Sequence, residues 1–344
     1  MKNRCITVLC IISIFIMNIF GCGNANEEQI KSIKIGVTLY DQYDTFVSQL
    51  INDFKVCVAD KEEKTDIAIN VSIYNAAGNQ QTQNEQVQNM IDDGCNVICV
   101  NLVDRTDTSA IITTAEKNDI PVIFFNRELV EEDLERWDKL YYVGARAFES
   151  GIMEGELVAD AFKNNPELDK NDDGVIQYVV LEGEAGHQDA IVRTEYSINT
   201  IVGRGFKVEK LSSAIANWNR AQAQTKMSHM ISQFNNDIEL VVANNDDMAL
   251  GAIDALKAEN IIREDWPAVV GIDGTGVGLE AVKDGEMIGT VYNDSVGQAN
   301  AMFELAFALS TGSGFDNLDL IDGKYIRLPY KKVTSYTISE IKKF

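Results

Sequence analysis

The chain has 344 residues, room for two domains by length alone, and 45% of them are hydrophobic, ample for packed cores. Asp and Glu number 53 against 30 Lys and Arg, a formal net charge of -23 that argues against electrostatic affinity for nucleic acid or an anionic membrane surface. Beyond the N-terminus no stretch is long and apolar enough to span a bilayer.

The N-terminus reads as a targeting segment. Lys2 and Arg4 give a basic start, "ITVLCIISIFIMNIF" an apolar core, and "IFGC" places Cys22 after Gly21. This resembles a bacterial lipoprotein signal, cut before a cysteine that takes a lipid; Phe20 is bulkier than that pattern favours, and a transmembrane anchor is the alternative. Residues 1–21 are expected to be removed and residues 22–32 to form a tether, with Cys22 as the lipidation site. Cys95 and Cys99 flank "NVI" in a buried-looking strand, too far apart for an easy disulfide, so free thiols are expected. With only His187 and His229, no His/Cys zinc cluster is apparent.

From residue 33 strand and helix alternate. "SIKIGVTL" is a strand; "TFVSQLINDFKVCVAD" carries Phe46, Leu50, Phe54 and Val58 at four-residue spacing, one helix face. "IAINVSIYNA", "NVICVNLV" and "IPVIFFN" continue as strands, with helices over "QNEQVQNMIDDG" and "TSAIITTAEKND", as far as "YYVGA". The rhythm resumes from "GIMEGELVADAF" through "GVIQYVVLEG", "IELVVANN", "AVVGID" and "MIGTVYND", each strand followed by a helix. One terminal strand is expected near "KYIRLPYKKV". Such alternation predicts α/β architecture, with parallel sheets covered on both faces. There are too many strands for one small sheet, so two doubly wound lobes are expected.

Ligands of doubly wound sheets sit outside the carboxyl ends of strands. That is where polar residues collect: Asp44 and Phe46, Asn101, then His187, Asp189 and Arg193, then Asn245, Asp273 and Asn293, with Trp218 before a helix. Singly, the Asx residues could be helix caps or turn formers. A lone Trp is usually packing, and Asp189 with Arg193 could be an ordinary i, i+4 pair. Jointly, carboxylates, amides and a guanidinium beside aromatic faces suit a neutral polyhydroxylated ring, whose hydroxyls both donate and accept. "GIDGTGVG" is a decoy: its glycines do not fit the dinucleotide fingerprint G-x-G-x-x-G.

"DKNDDGVIQ" reads like the front half of a calcium loop. Asp169, Asn171 and Asp173 occupy positions 1, 3 and 5, Gly174 the turn, Val175 a carbonyl position and Gln177 position 9. Position 12 is Val180, which supplies no carboxylate. The alternative is a solvated Asx-rich turn.

The ordered motifs "IGVTLY", "NLVD", "PVIFFN", "YYVG", "GEAGHQDA", "VVANNDDMALGA" and "GTVYND" resemble the periplasmic galactose/glucose-binding proteins, sugar receptors of ABC transport systems, over residues 33 to 335. The resemblance implies that Asp44, Asn101, His187, Asp189, Arg193, Asn245, Asp273 and Asn293 hydrogen-bond a sugar, and that Phe46 and Trp218 sandwich it. It also implies a structural Ca2+ whose last, bidentate carboxylate is the distant Glu239. Gln188 stands where a proline is common, and "LVEEDLERWDKL" is this chain's own helical stretch.

The expectation is therefore two doubly wound parallel-sheet lobes joined by a hinge of crossing segments, residues 31–121 plus 295–326 and residues 122–294 plus 327–344. The expected function is a monomeric, lipid-anchored extracytoplasmic protein that captures galactose or glucose without chemistry and delivers it to an ABC permease. A sugar-sensing subunit for a chemoreceptor or sensor kinase is the alternative. A glycoside hydrolase would need two carboxylates about a scissile bond, for which Asp44 and Asp273 could pose.

Overall fold

The computed structural model describes residues 30–316 and 318–341. The targeting segment, most of the tether and Cys22 lie outside the described residues. Among those described, no helix is long and apolar enough to cross a membrane.

The first lobe winds β1 (Ser32–Leu39), α1 (Thr45–Lys64), β2 (Ala68–Asn75), α2 (Gln80–Asp92), β3 (Val97–Val100), α3 (Ser109–Lys117), β4 (Val122–Phe125), α4 (Glu131–Leu134) and β5 (Leu140–Gly144). The second continues with α5 (Ala147–Asn164), β6 (Val175–Glu182), α6 (Gln188–Gly203), β7 (Lys207–Ile215), α7 (Arg220–Phe234), β8 (Leu240–Ala243), α8 (Asp246–Ala258), β9 (Ala268–Asp273), α9 (Gly276–Lys283) and β10 (Gly289–Tyr292). Then follow α10 (Ser295–Thr311), β11 (Tyr325–Arg327) and β12 (Lys331–Val333).

Two six-stranded sheets result, ordered β11-β5-β4-β3-β1-β2 and β12-β10-β9-β8-β6-β7. All pairs are parallel except β10 with β12. Each central strand reads as an unbroken apolar run, such as "VICV" and "LVVA", because helices cover both faces. One core cluster lies on each face of each sheet. The α1 stripe of Phe46, Leu50, Phe54 and Val58 is buried as its spacing predicts. Its Phe54 meets Phe303 of α10 edge to face at 5.8 Å.

That contact fixes how the chain divides. It leaves the first lobe after β5, returns to it at α10, and crosses again between β11 and β12. The expected break at 121/122 is corrected: β4 and β5 pair within the first sheet, so the first crossing follows Gly144. Repeated β–α units concealed it, because nothing in their local pattern says which sheet a strand joins. The single terminal strand is also corrected. Pro329 has no N–H to give a ladder, and the segment splits into β11 and β12, one in each sheet. "LVEEDLERWDKL" forms only the four residues of α4 as helix before β5 begins.

In both sheets the strand order reverses beside the first strand of the lobe, between β1 and β3 and between β6 and β8. These are the topological switch points, where an open α/β sheet leaves a crevice.

Candidate functional site

Both crevices open on one cleft, with about 350 Å³ of space counting its open side. It is lined by eight of the ten sequence-expected residues: Asp44 and Phe46 from the first lobe, and His187, Asp189, Arg193, Trp218, Asn245 and Asp273 from the second. Three of the polar residues prove to be helix caps as well as cleft residues. Asp44 Oδ1 accepts the Val47 N–H of α1 at 2.8 Å, Asn245 Oδ1 accepts the Met248 N–H of α8 at 2.9 Å, and His187 Nδ1 accepts the Asp189 N–H of α6 at 3.1 Å. The capping bond orients each side chain at a helix N-terminus facing the cleft, so a cap and a cleft-lining position coincide. Asp44 Oδ2 also accepts the Tyr40 hydroxyl at 2.5 Å.

Arg193 is the buried cation of the second lobe. Its Nη1 donates to the Asn244 carbonyl at 2.8 Å and lies 3.9 Å from Asp273 Oδ1; its Nη2 lies 3.6 Å from Asp189 Oδ2. Burial raises Asp273 well above the ordinary carboxylate range, and Arg193 opposes that shift. Asp273 has φ 113°, a strained backbone for a non-glycine residue at the end of β9. Burial lowers His187 from 6.5 to about 4, so its imidazole is neutral at physiological pH. Behind Arg193, Glu154 is fully buried with neither carboxylate oxygen hydrogen-bonded.

Trp218 enters with φ 59°. Its indole presses on Gly183, where a Cβ would fall 2.1 Å from the ring. Gly183 is therefore the residue that lets the indole reach the cleft. Phe46 and Trp218 come from opposite lobes, as a two-sided clamp requires.

Asn101 and Asn293 do not line the cleft. The Asn101 amide donates to the Phe125 carbonyl at 3.2 Å and to Asn126 Oδ1 at 3.0 Å, with its own Oδ1 unpartnered. Asn293 accepts from Gln298 at 2.6 Å and supports the Asp273 carboxylate. The cleft has three lining residues that sequence reasoning missed: Tyr40, Asn126 and Arg127. Tyr40 directly follows β1, and Asn126 and Arg127 directly follow β4. The strand-end rule could have found them.

The glycine decoy has a structural explanation. Gly271 and Gly278 make room for the carboxylate of Asp246, which accepts from Thr275 N at 2.7 Å and Thr290 Oγ1 at 2.6 Å. An internal carboxylate occupies the mouth of α9. Burial raises Asp246 to about 7.

Around "DKNDDGVIQ" the chain turns at Gly174, φ +73°. Asp169, Asn171 and Asp173 accept from loop amides, and Gln177 Nε2 donates to Asp173 Oδ2 at 3.0 Å. Glu239 reaches this loop from just before β8: its two oxygens accept the Lys170 N–H at 2.6 Å and the Gln177 N–H at 3.2 Å. Burial, then the nearby Asp169, raises Glu239 above the ordinary carboxylate range. The donor set is all hard oxygen, the chemistry calcium takes. Among the described residues, however, no three His, Cys, Asp or Glu side chains are grouped to hold an ion. Cys57, Cys95 and Cys99 are free thiols.

Comparison with known proteins agrees with this architecture. Residues 35–314 match the periplasmic binding protein domain. The chain is 35% identical over 325 residues to the D-galactose/methyl-galactoside binding periplasmic protein MglB of Haemophilus influenzae, covering 93% of this chain and 95% of that one. It is 31% identical to a putative rhizopine-binding protein of Rhizobium meliloti, over 80% of this chain and 84% of that one. A solved ABC transporter solute-binding protein from Bacillus halodurans, with bound myo-inositol, superposes with TM-score 0.75 at 28% identity, covering 91% of this chain and 98% of that one. The chain belongs to the periplasmic binding protein family, whose members are non-enzymatic solute-binding components of transport systems.

Proposed function

We propose that this chain captures a neutral monosaccharide, D-galactose or D-glucose, between its lobes and presents it to an ABC permease outside the cytoplasm. The observation that carries this reading is the joint set at one cleft. Acidic, amide, imidazole and guanidinium groups converge between Phe46 and Trp218, from opposite lobes. Charge-assisted hydrogen bonds to hydroxyls contribute roughly 1.5–3 kcal/mol each, and the aromatic faces cover the C–H patches of a pyranose. Asn101 and Asn293 join as ligands after small side-chain shifts, since each already contacts a neighbour of the site. The 35% identity to a galactose-binding relative favours a hexose. Other relatives are named for xylitol and ribose, so the hexose is to be tested against those classes. A lipid on Cys22 anchors the chain at the membrane surface in this reading.

Calcium belongs to the same proposal. Asp169, Asn171, Asp173, Gln177 and Glu239, with the Val175 carbonyl, hold it after the loop side chains exchange amide partners for the ion. Its role is structural, tying the loop before β6 to the start of β8.

Calorimetric titration of residues 23–344 with D-galactose, D-glucose, D-ribose, xylitol and myo-inositol tests the function. Tight binding of galactose or glucose and at least tenfold weaker binding of the others is expected. Preference for a pentose or a polyol would overturn the hexose reading.

A further inference from the structure

One ion pair walls the cleft off from a second, larger space. Arg127 follows β4 and is almost wholly buried; its guanidinium carbon lies 3.4 Å from the centre of the Tyr40 ring. Nη1 donates to the Val103 carbonyl at 3.1 Å and Nη2 to Glu184 Oε1 at 2.9 Å. Tyr40, Val103 and Arg127 belong to the first lobe and Glu184 to the second, so the pair bridges the lobes. On its far side lies a cavity of about 1030 Å³ counting its open side, lined by Gly78, Asp104, Arg105 and Thr106 of the first lobe and Ala185 and Gly186 of the second. Tyr40, Arg127 and His187 line both spaces.

The two partners are held unequally. Arg127 has two further partners of its own lobe, the Val103 carbonyl and the Tyr40 ring, besides Glu184. The Glu184 side chain is 36% exposed and can turn to water, so the cost of opening falls on Arg127, which stays buried without a counter-charge until a ligand hydroxyl takes the place of Glu184. The inner space is the smaller of the two, about 350 against 1030 Å³ counting the open sides, and the outer one presents a carboxylate, a guanidinium and a hydroxyl. Those groups suit the hydroxyls of a further sugar unit.

We propose that Arg127 and Glu184 form a gate that limits the ligand to one ring when shut, and that the outer cavity takes the second unit of a disaccharide when the gate opens. This rests on the monosaccharide reading of the inner cleft. The gate makes Arg127 and Glu184 specificity-determining residues.

The test is calorimetric titration of galactose, lactose and melibiose into wild type, Arg127→Ala and Glu184→Gln. Wild type is expected to prefer galactose to either disaccharide by a hundredfold or more. Both variants should narrow that ratio at least tenfold for one of the disaccharides, with an absolute gain in its affinity. Glu184 is half-exposed, so its variant keeps the test valid if Arg127→Ala fails to fold. An unchanged ratio with galactose still bound overturns the gate alone, and so does a parallel loss for all three sugars. Absence of both galactose and glucose binding by wild type overturns the monosaccharide reading and the gate with it.

Discussion

The Trp218 indole and the His187 imidazole meet edge to face, with ring centroids 5.2 Å apart. Each is held by a different device: Trp218 by a left-handed backbone and the bare surface of Gly183, His187 by its bond from the α6 N-terminus. The indole is thus placed beside the cleft by structure that a mere packing residue would not need. Trp218→Ala should weaken sugar binding by about 1–3 kcal/mol, by analogy with base–aromatic stacking. Affinity within twofold of wild type, measured by calorimetry, would reduce Trp218 to packing.

His187 gives a pH dependence of known sign. Its value falls from 6.5 to about 4, chiefly through burial, while Asp189 pulls the other way. Its Nδ1 is an acceptor, so the proton of the neutral ring sits on Nε2. A depressed folded value means that the unfolded chain takes the proton first. The stability owed to neutral His187 is complete above about pH 6.5 and is lost as pH falls toward 4. Melting temperature followed from pH 7.5 to 4 should therefore fall less steeply in His187→Asn, which keeps a capping acceptor, than in wild type. Parallel curves would remove His187 from the account.

Much of this was legible in the sequence, for a physical reason. Parallel strands buried on both faces are apolar runs, and the polar residues that end them are where the cleft must be. Asp44, His187 and Asn245 stood out because a cap and a cleft residue occupy the same place. The lobe boundary at Gly144 was not legible. β4 and β5 look alike whichever sheet they join, and the choice is made by long-range pairing with β3 and β11. Arg127 stands at a strand end and could have been found as a cleft residue, but its pairing with Tyr40, Val103 and Glu184 could not, because these are far apart in sequence. Glu239 could be attached to "DKNDDGVIQ" only by resemblance, since 62 residues separate it from Gln177.

Glu154 titrates in the opposite sense to His187. Burial raises it well above the ordinary carboxylate range, and the nearby Arg193 opposes the shift. Its oxygens are unpartnered; the Ser197 hydroxyl, close enough to oppose the shift, donates to the Thr194 carbonyl. The folded chain therefore holds a proton that the unfolded chain gives up. The associated stability is full below the usual carboxylate range and drains away as pH rises through the folded value. Glu154→Gln has nearly the same shape and cannot ionise. It should match wild type near pH 5 and exceed it increasingly toward pH 9, by up to about 1–3 kcal/mol, the scale of an unsatisfied buried polar group. Chemical denaturation at the two pH values measures this. A constant offset at both would show that Glu154 does not titrate there.

The calcium proposal makes a prediction about stability that leaves the sugar cleft aside. Glu239 is almost fully buried, and its two oxygens are met by backbone amides of the loop, Lys170 and Gln177 among them. Lys170 offers a partial substitute for an ion. Its Nζ donates to the Ile238 carbonyl at 2.8 Å and the Asp265 carbonyl at 2.9 Å, which already ties the loop to the approach to β8. The fold should therefore survive without metal, but less stably. A ligand that binds only the folded chain adds about 2.7 kcal/mol at a hundredfold excess over its dissociation constant. Chelation should lower the melting temperature reversibly, and calcium should restore it better than magnesium, whose tighter octahedron suits a loop of about seven oxygens poorly. Glu239→Gln should lose most of that calcium response while galactose affinity at low temperature changes little, because none of the loop residues lines the cleft. If chelator alters neither melting temperature nor bound metal content, the loop is an acidic turn held by its own amides and by Lys170.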